Sequence, residues 1–398
     1  MSRLGSRKLV VLVAVCAALA LFGGYATAQQ TPKRGPRAAA APGDVISAEP
    51  FTAYLDPAKL IPIQADAWKI LYQSTSALGE PIAVSGSILV PKSAWPGPGP
   101  RPVVSYSIGT HGMGDQCAPS YKLPRGTEQE AGVMSGLLQQ GWAVAVTDYE
   151  KLGTPGVHTY TVGISEGRAA LDAARAAMRL PGAGLSPDAP VGLWGYSQGG
   201  QSTAWAAQQA ASYAPELAIK GAAPGGVPAD LLSIVDDVDG GPFSALMFAA
   251  ALGQDSAYPE LDLEKYLNDA GRAAMEDGKN LCVEEAAAKY AFKKISDYTT
   301  SNPLDTPEWQ ARLTENRLGG DVKPAMPIYL YHGLIDELVP YDQAAVLRTE
   351  WCGNGATVQW QDYPGEHVTA YIEAVPAATL WMADRFAGTA APNNCAGQ

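Results

Sequence analysis

One serine in this chain lies in a short motif that could make it a nucleophile. Residues 191–202 run Val-Gly-Leu-Trp-Gly-Tyr-Ser-Gln-Gly-Gly-Gln-Ser, so residues 195–199 fit the pattern G-x-S-x-G around Ser197. The apolar run before the motif predicts a buried strand, and the Ala- and Gln-rich run after it predicts a helix. A sharp turn between the two would hold the serine in a strained conformation and expose its hydroxyl. Gly195 and Gly199 meet the need for small residues in such a turn. The motif therefore predicts acyl transfer through Ser197.

A second stretch of the chain also fits G-x-S-x-G. Residues 163–167 run Gly-Ile-Ser-Glu-Gly, but the run before them, residues 158–162, is too polar for a buried strand. An alanine-rich helix follows. We therefore expect Ser165 to cap that helix, with Glu166 in its first turn, and not to act as the nucleophile.

A serine hydroxyl needs a base, and chain order selects one histidine for that role. In hydrolases with this kind of turn the partners follow the serine in the order Asp or Glu, then His. Of the four histidines, His111 and His158 precede Ser197. His332 ends a predicted strand and would require the acid to come from the segment before it. His367 lies in a turn directly after the last predicted strand, so we expect it to be the base.

The acid is expected in the loop after the penultimate strand. Asp336 follows that strand, which would place it at the carboxyl end of the sheet, where it can accept a hydrogen bond from His367. Glu337 is the alternative acid. Asp342 is expected to begin a helix, and Asp362 ends the same strand that leads to His367.

An oxyanion formed on the substrate would need two hydrogen-bond donors. The backbone N–H of Gln198, next to the serine, is the first. The second should come from the loop after the third predicted strand, residues 109–114. A backbone N–H requires no particular side chain, so the choice between Thr110 and His111 stays open.

The surrounding elements predict an α/β fold with a mostly parallel sheet and helices on both faces. Strands and helices alternate from residue 103 to residue 223, which favours such a sheet. Thr127 and Glu130 have capping-box spacing and predict a helix start. Residues 226–322 contain no convincing strand, so we expect an inserted helical subdomain there.

The N-terminal region predicts export. Residues 1–28 have a charged start, an apolar centre too short for a bilayer span and a small-residue cleavage site, so we expect a cleaved signal peptide and no integral membrane segment. Residues 29–50 are polar and rich in Pro and Ala, which predicts a disordered leader. The mature, secreted protein would then have a core of residues 51–225 and 323–398 around a helical cap of residues 226–322.

Charge and cysteine content narrow the class of protein. The formal net charge of −12 argues against nucleic acid and anionic membranes as partners. Four cysteines follow the predicted signal, and an even number in an exported protein suggests two disulfides with three possible connectivities. Their spacing does not resemble a zinc site, and we expect neither a metal nor a cofactor. The four are Cys117, Cys282, Cys352 and Cys395.

Several motifs occur together along nearly the whole mature chain: Cys117-Ala-Pro-Ser, Asp148-Tyr-Glu, Ser165-Glu-Gly-Arg, Gly195-Tyr-Ser-Gln-Gly, Tyr213-Ala-Pro-Glu-Leu, Gly240-Gly-Pro-Phe, Asp336-Glu-Leu-Val-Pro-Tyr and Glu366-His-Val-Thr-Ala. In this order they resemble the secretory lipase family, which is yeast lipase A-like and part of the α/β-hydrolase superfamily. The resemblance implies an α/β-hydrolase fold with a helical cap that encloses an acyl chain.

The resemblance also implies roles for individual residues. It implies a catalytic triad of Ser197, Asp336 and His367, and an oxyanion hole formed by the backbone N–H groups of His111 and Gln198. It implies disulfides Cys117–Cys282 and Cys352–Cys395. The sequence ends three residues after Cys395, without the extension that covers the site in yeast lipase A, so a more open pocket is expected.

We therefore expect an exported serine ester hydrolase, a lipase that cleaves acyl esters such as acylglycerols, acts without a cofactor and is a monomer. Within the same chemistry the alternatives are a short- or medium-chain carboxylesterase, a polyester hydrolase and an acyltransferase. The alternative without catalysis is a binding protein on an inactive hydrolase fold.

Overall fold

The computed structural model describes residues 40–396, so the predicted signal peptide and residues 29–39 of the predicted leader lie outside the described residues. Nine strands are found in the described part of the chain. They are β1 Val45–Phe51, β2 Ala65–Thr75, β3 Pro81–Pro91, β4 Val103–Ser107, β5 Ala143–Thr147, β6 Val191–Tyr196, β7 Ile219–Gly225, β8 Ile328–Gly333 and β9 Val358–Tyr363.

These strands form one sheet in the order β1-β2-β3-β5-β4-β6-β7-β8-β9. The pairs β1–β2, β2–β3 and β3–β5 are antiparallel, whereas every pair from β5 across to β9 is parallel. Every residue of β4, β5, β6 and β8 is buried, as expected for parallel strands with helices on both faces. The predicted α/β class is therefore confirmed.

The helices fall into two groups. Those that connect strands of the sheet or follow its last strand are α1 Pro119–Lys122, α2 Ala131–Gln139, α3 Gly163–Arg179, α4 Gln198–Tyr213, α11 Tyr341–Gly353 and α12 His367–Phe386. Those between β7 and β8 are α5 Val235–Val238, α6 Ser244–Ala257, α7 Asp269–Gly278, α8 Val283–Tyr290, α9 Ile295–Tyr298 and α10 Pro307–Glu315. Short 3₁₀ turns lie at Asp115–Cys117, Leu123–Arg125, Pro259–Leu261, Leu263–Tyr266 and Pro303–Asp305.

Apolar side chains fill the space on each face of the sheet. On one face Trp142, Trp194 and Met382 belong to a core that includes residues of α2 and α12. On the other face α3, α4 and α11 pack through mostly small and aliphatic side chains. A separate cluster joins the helices between β7 and β8 to Met113 and Tyr160 of the loops above the sheet. Among residues 40–396 no helix is long and apolar enough to cross a bilayer.

Strand β1 corrects the predicted leader, which was expected to be disordered to residue 50. Val45–Phe51 pairs antiparallel with β2, with Phe51 opposite Ala67. Most of its side chains are exposed, so this edge strand carries no apolar alternation that a sequence pattern could reveal. Its backbone hydrogen bonds to β2 hold it in place instead.

Candidate active site

Ser197 lies in the turn between β6 and α4, with φ 60° and ψ −122°. A positive φ is uncommon for a residue with a side chain and persists only where the surroundings enforce it. The Ser197 N–H donates to the Gly225 carbonyl of β7 at 3.0 Å, which fixes the turn against the neighbouring strand. The side chain is only half-buried, at the carboxyl end of the sheet.

The glycines of this motif are required by contacts with neighbouring backbone. A Cβ on Gly195 would lie 2.3 Å from the Gly199 carbonyl oxygen, and one on Gly199 would lie 2.0 Å from the Ser107 oxygen at the end of β4. A Cβ on Gly200 would lie 2.0 Å from the Gly225 oxygen. The two motif glycines therefore crowd the turn and each other, as expected from the pattern.

His367 is the first residue of α12, and its ring meets a carboxylate. Its Nδ1 lies 2.6 Å from Oδ2 of Asp336. The other oxygen of Asp336 accepts from the backbone N–H groups of Leu338 and Val339 at 3.0 and 2.8 Å. Both oxygens therefore have partners that orient the carboxylate towards the imidazole.

These contacts also control the charge of the acid. Burial raises the pKa of Asp336, but the hydrogen bond and charge of His367 and the Val339 N–H together bring that pKa below its usual value. Asp336 is therefore ionised at neutral pH. An ionised acceptor keeps the proton on Nδ1 of His367 and leaves Nε2 free to take a proton.

The rest of the acid loop supports this arrangement without replacing it. His332 is buried, and its Nε2 lies 2.9 Å from the Val339 carbonyl; burial lowers its pKa. Glu337 accepts from the backbone N–H of His367 at 3.1 Å, so it holds the residue and not the ring. Asp362 accepts from a tyrosine hydroxyl, and Asp342 lies in the first turn of α11.

Tyr196, the residue before Ser197, contacts both the backbone and the ring of His367. Its hydroxyl donates to the His367 carbonyl at 2.8 Å, and the two ring centroids lie 5.0 Å apart. The last residue of β6, which is adjacent to the predicted nucleophile, thus contacts the predicted base.

The second motif has a different environment. Ser165 is the third residue of α3, fully buried, and its hydroxyl donates to Glu150. The predicted capping role of Ser165 is therefore wrong, because the helix begins two residues earlier and Val162 precedes it. Sequence alone could not show this, since Glu150 lies in a separate loop.

A polar network under Gln198 was missed by the sequence reasoning. The Gln198 side-chain amide donates to Glu166 Oε1 at 2.8 Å and lies 3.2 Å from Nε2 of His158. Nδ1 of His158 lies 2.9 Å from the Glu150 carbonyl, so Nδ1 carries the proton and Nε2 accepts. Burial raises the pKa of Glu166 to about 8 and lowers that of His158 to about 4. Both groups are thus uncharged at pH 7.

The loop after β4 lies beside Ser197 and Gln198. Thr110 and Gly112 line the same cavity as those two residues. Within residues 40–396 the amides of Thr110 and His111 both donate to no protein acceptor, so the geometry does not choose between them as the second donor. Glu130 does not form the predicted capping box: its carboxylate instead accepts from the Gly109 N–H at 2.7 Å.

The same loop is attached to the helical insertion. The Met113 N–H donates to the Leu281 carbonyl at 2.9 Å, and Val283 N–H donates to the His111 carbonyl at 3.0 Å. A disulfide joins Cys117 to Cys282 in this region. A second disulfide, Cys352–Cys395, joins α11 to the C-terminal segment.

An apolar cavity of about 170 Å³ opens at Ser197 and extends into the insertion. Its walls are largely aliphatic and aromatic side chains of α6 to α10, among them Leu246, Phe248, Met275 and Trp309. Such a cavity suits a flexible hydrocarbon chain. In the described part of the chain, no three His, Cys, Asp or Glu side chains are grouped closely enough to hold a metal ion.

Comparisons with known proteins identify the family of this chain. The model of the family described as "Secretory lipase" matches residues 123–394. A probable inactive lipase of Mycobacterium tuberculosis is 32% identical over 83% of this chain and 75% of its own length. A secreted triacylglycerol lipase of Malassezia furfur is 31% identical over 79% of this chain and 85% of its own.

Among solved structures, Candida antarctica lipase A in its closed state superposes with a TM-score of 0.79. The two chains are 28% identical, and the match covers 89% of this chain and 84% of the other. The overall fold described above is therefore shared with a lipase.

Proposed function

The chain belongs to the secretory lipase family, and from that premise we propose that it hydrolyses acyl esters through an acyl-enzyme on Ser197. The single observation that carries this assignment is the 2.6 Å contact between His367 Nδ1 and Asp336 Oδ2, in a chain that also holds Ser197 at φ 60°. A strained serine, an imidazole and an oriented carboxylate are the three parts that acyl transfer by a triad requires.

In the proposed mechanism Ser197 Oγ attacks the ester carbonyl while His367 Nε2 takes its proton. The oxyanion that forms on the former carbonyl oxygen accepts hydrogen bonds from the backbone N–H of Gln198 and from one N–H of the loop after β4, for which we propose His111. The imidazolium then protonates the departing alcohol. Water, deprotonated by the same histidine, releases the acid and restores Ser197.

We propose that the acyl chain of the substrate enters the apolar cavity. That cavity is built by residues of the segment 226–322, which we assign as a cap on a core of residues 51–225 and 323–398. An acyl ester of a lipid, such as an acylglycerol, fits this lining better than a short polar ester does. Carboxylesterase and polyester hydrolase activities use the same machinery and differ only in the substrate accepted.

The family is described as secretory, and one relative is named a secreted triacylglycerol lipase, which indicates an extracellular protein. We propose that residues 1–28 form a cleaved signal and that the mature protein acts as a monomer without nucleic acid. The pattern of residues 1–28 supports the signal, and the formal net charge of −12 supports the absence of a nucleic-acid partner.

A binding protein on an inactive fold is the competing proposal, since one relative is named a probable inactive lipase. The experiment that separates the two is labelling with an alkyl phosphonate, followed by peptide mass mapping and by hydrolysis of p-nitrophenyl esters from C2 to C16. We expect the label on Ser197 and a maximum rate at medium or long chains. An unlabelled serine and no turnover would reject the proposal, whereas product bound to an added alcohol would indicate acyl transfer.

A further inference from the structure

A buried ion pair joins the loop after β4 to the segment before α2, and no step of the proposed mechanism uses its two side chains. His111 is 1% exposed and Glu128 is 6% exposed. His111 Nε2 lies 2.8 Å from Glu128 Oε1, and its Nδ1 lies 2.9 Å from the carbonyl oxygen of Gly109. Both ring nitrogens therefore have partners inside the protein.

The partners fix where the protons are. A carbonyl oxygen can only accept, so Nδ1 of His111 carries a hydrogen. Glu128 Oε1 also accepts from the Glu130 N–H at 3.0 Å, so it behaves as a carboxylate acceptor and Nε2 carries a hydrogen as well. The ring is then an imidazolium paired with a carboxylate.

Electrostatics agree with this assignment. Burial lowers the pKa of His111, but the charge and hydrogen bond of Glu128 more than offset that effect and raise the pKa to about 9. Burial raises the pKa of Glu128, yet the charge and hydrogen bond of His111 bring it below its usual value. The pair is therefore charged at neutral pH.

Other charged and titratable groups face this pair from several elements. Glu130 precedes α2, favours the imidazolium, and is itself buried against the hydroxyls of Tyr106 and Tyr371. Lys122 of α1 opposes the imidazolium. The start of α8, which donates to the His111 carbonyl, carries Glu284 and Glu285.

Three backbone groups of the loop are thus fixed by partners outside it or by the ring. The Gly109 N–H donates to Glu130, the Gly109 carbonyl accepts from the His111 ring, and the His111 carbonyl accepts from Val283 N–H. The amide that remains without a protein acceptor at His111 is the proposed oxyanion donor. Its direction depends on these neighbours.

We propose that the His111 side chain is a positioning residue for the ester hydrolysis proposed above: its imidazolium, held by Glu128, fixes residues 109–111 so that a loop amide meets the oxyanion. This inference rests on the proposed function. In the proposed mechanism His111 contributes only its backbone N–H, whereas here its side chain also fixes the position of the loop.

The test is Glu128→Gln, with kcat and KM measured on a p-nitrophenyl ester between pH 6 and pH 10. The glutamine amide can donate to Nε2 of a neutral ring, whereas the Glu128 carboxylate accepts from it, so the variant keeps a hydrogen bond but leaves His111 neutral. Because small displacements in a preorganised site are costly, we expect kcat to fall about 10- to 100-fold at pH 7 with KM within about threefold. Wild-type kcat should decline above about pH 9, while the variant shows no such decline. Unchanged kcat and an unchanged alkaline decline would overturn the proposal.

Asp172→Asn is the matched control, since it also removes a carboxylate from a buried ion pair. Asp172 accepts from the Arg175 guanidinium at 2.8 Å and from the hydroxyls of Ser74 and Tyr213. None of these residues belongs to the proposed active site. We expect a lower Tm with an unchanged kcat. If Asp172→Asn lowers kcat as much as Glu128→Gln does, a general loss of stability explains both and the proposal fails.

A spectroscopic measurement keeps the proposal testable even if Glu128→Gln does not fold. The ring ¹⁵N signals of the four histidines of the wild type should include one imidazolium that persists to about pH 9, assigned to His111 by its loss in His111→Gln. A neutral His111 ring at pH 7 would overturn the proposal. An inert wild type would reject the proposed function as well, whereas an active wild type with a neutral His111 rejects only the positioning role.

Discussion

The two G-x-S-x-G motifs of this chain have the same pattern and different structures. Ser197 lies between a buried strand and a helix with φ 60°, whereas Ser165 lies inside α3 with its hydroxyl bonded to Glu150. The pattern therefore describes where small residues are needed and does not by itself define a nucleophile. The strand that precedes the serine makes the difference, because only it can end in a sharp exposed turn.

The glycines of the second motif explain why the pattern recurs. A Cβ on Gly163 would lie 2.0 Å from the Trp205 side chain, and one on Gly167 would lie 2.7 Å from the Ala206 nitrogen. Both neighbours belong to α4, the helix that begins directly after Ser197. The second motif is thus a packing surface for the helix that supports the first.

The largest expected effect separates the two serines. Ser197→Ala should lower kcat about 10⁴- to 10⁶-fold, the loss seen when a nucleophile is removed from a triad. Ser165→Ala removes a buried hydroxyl from Glu150 and should leave kcat within about threefold while lowering stability by about 1–3 kcal/mol. Ester hydrolysis and thermal melting of both variants test this. A dead Ser165→Ala that folds normally, with an active Ser197→Ala, would reverse the assignment.

Substitution of one glycine from each motif should affect kcat to different extents. Gly199→Ala forces a methyl group against the Ser107 carbonyl, so the turn must move, and both kcat and Tm should fall. Gly167→Ala crowds α4 from the side and should cost about 1–3 kcal/mol of stability, as overpacking does, with a smaller effect on kcat. If Gly199→Ala and Gly167→Ala have the same Tm and lose the same fraction of kcat, activity depends no more on the Ser197 turn than on the contact between α3 and α4.

Stability should also depend on pH through Glu166, the residue that follows Ser165. Because its pKa rises from an ordinary 4.5 to about 8 in the folded protein, the folded state holds a proton that the unfolded chain releases between those values. Wild-type stability should therefore fall as the pH rises through this window. Glu166→Gln cannot ionise, so its Tm relative to wild type should increase from pH 5 to pH 8. A difference in Tm that is constant with pH would show that Glu166 is already ionised in the folded protein.

Local patterns predicted much of this molecule. The buried run before Ser197, the helix after it and the absence of strands between residues 226 and 322 all reflect periodicity within about ten residues. The sheet confirmed the α/β class predicted from these patterns. The family model confirmed the family, which the resemblance of the ordered motifs had implied. The patterns failed where a local rule competed with a distant partner. Glu130 has the spacing of a capping-box residue, yet it bonds Gly109 and the tyrosines at positions 106 and 371.

The class of chemistry could be inferred from the chain alone, because the two glycines that flank Ser197 and the order of serine, acid and histidine can be read in the sequence. The choice of the carboxylate that orients the His367 ring required the three-dimensional structure, because Asp336 and Glu337 are neighbours in the chain. Asp336 contacts the ring Nδ1, whereas Glu337 contacts the backbone N–H. The tertiary structure also decided that Glu128 and His111, 17 residues apart, form a buried pair. The physical reason is that hydrogen bonds and burial depend on contacts between distant segments, and no spacing within one segment records them.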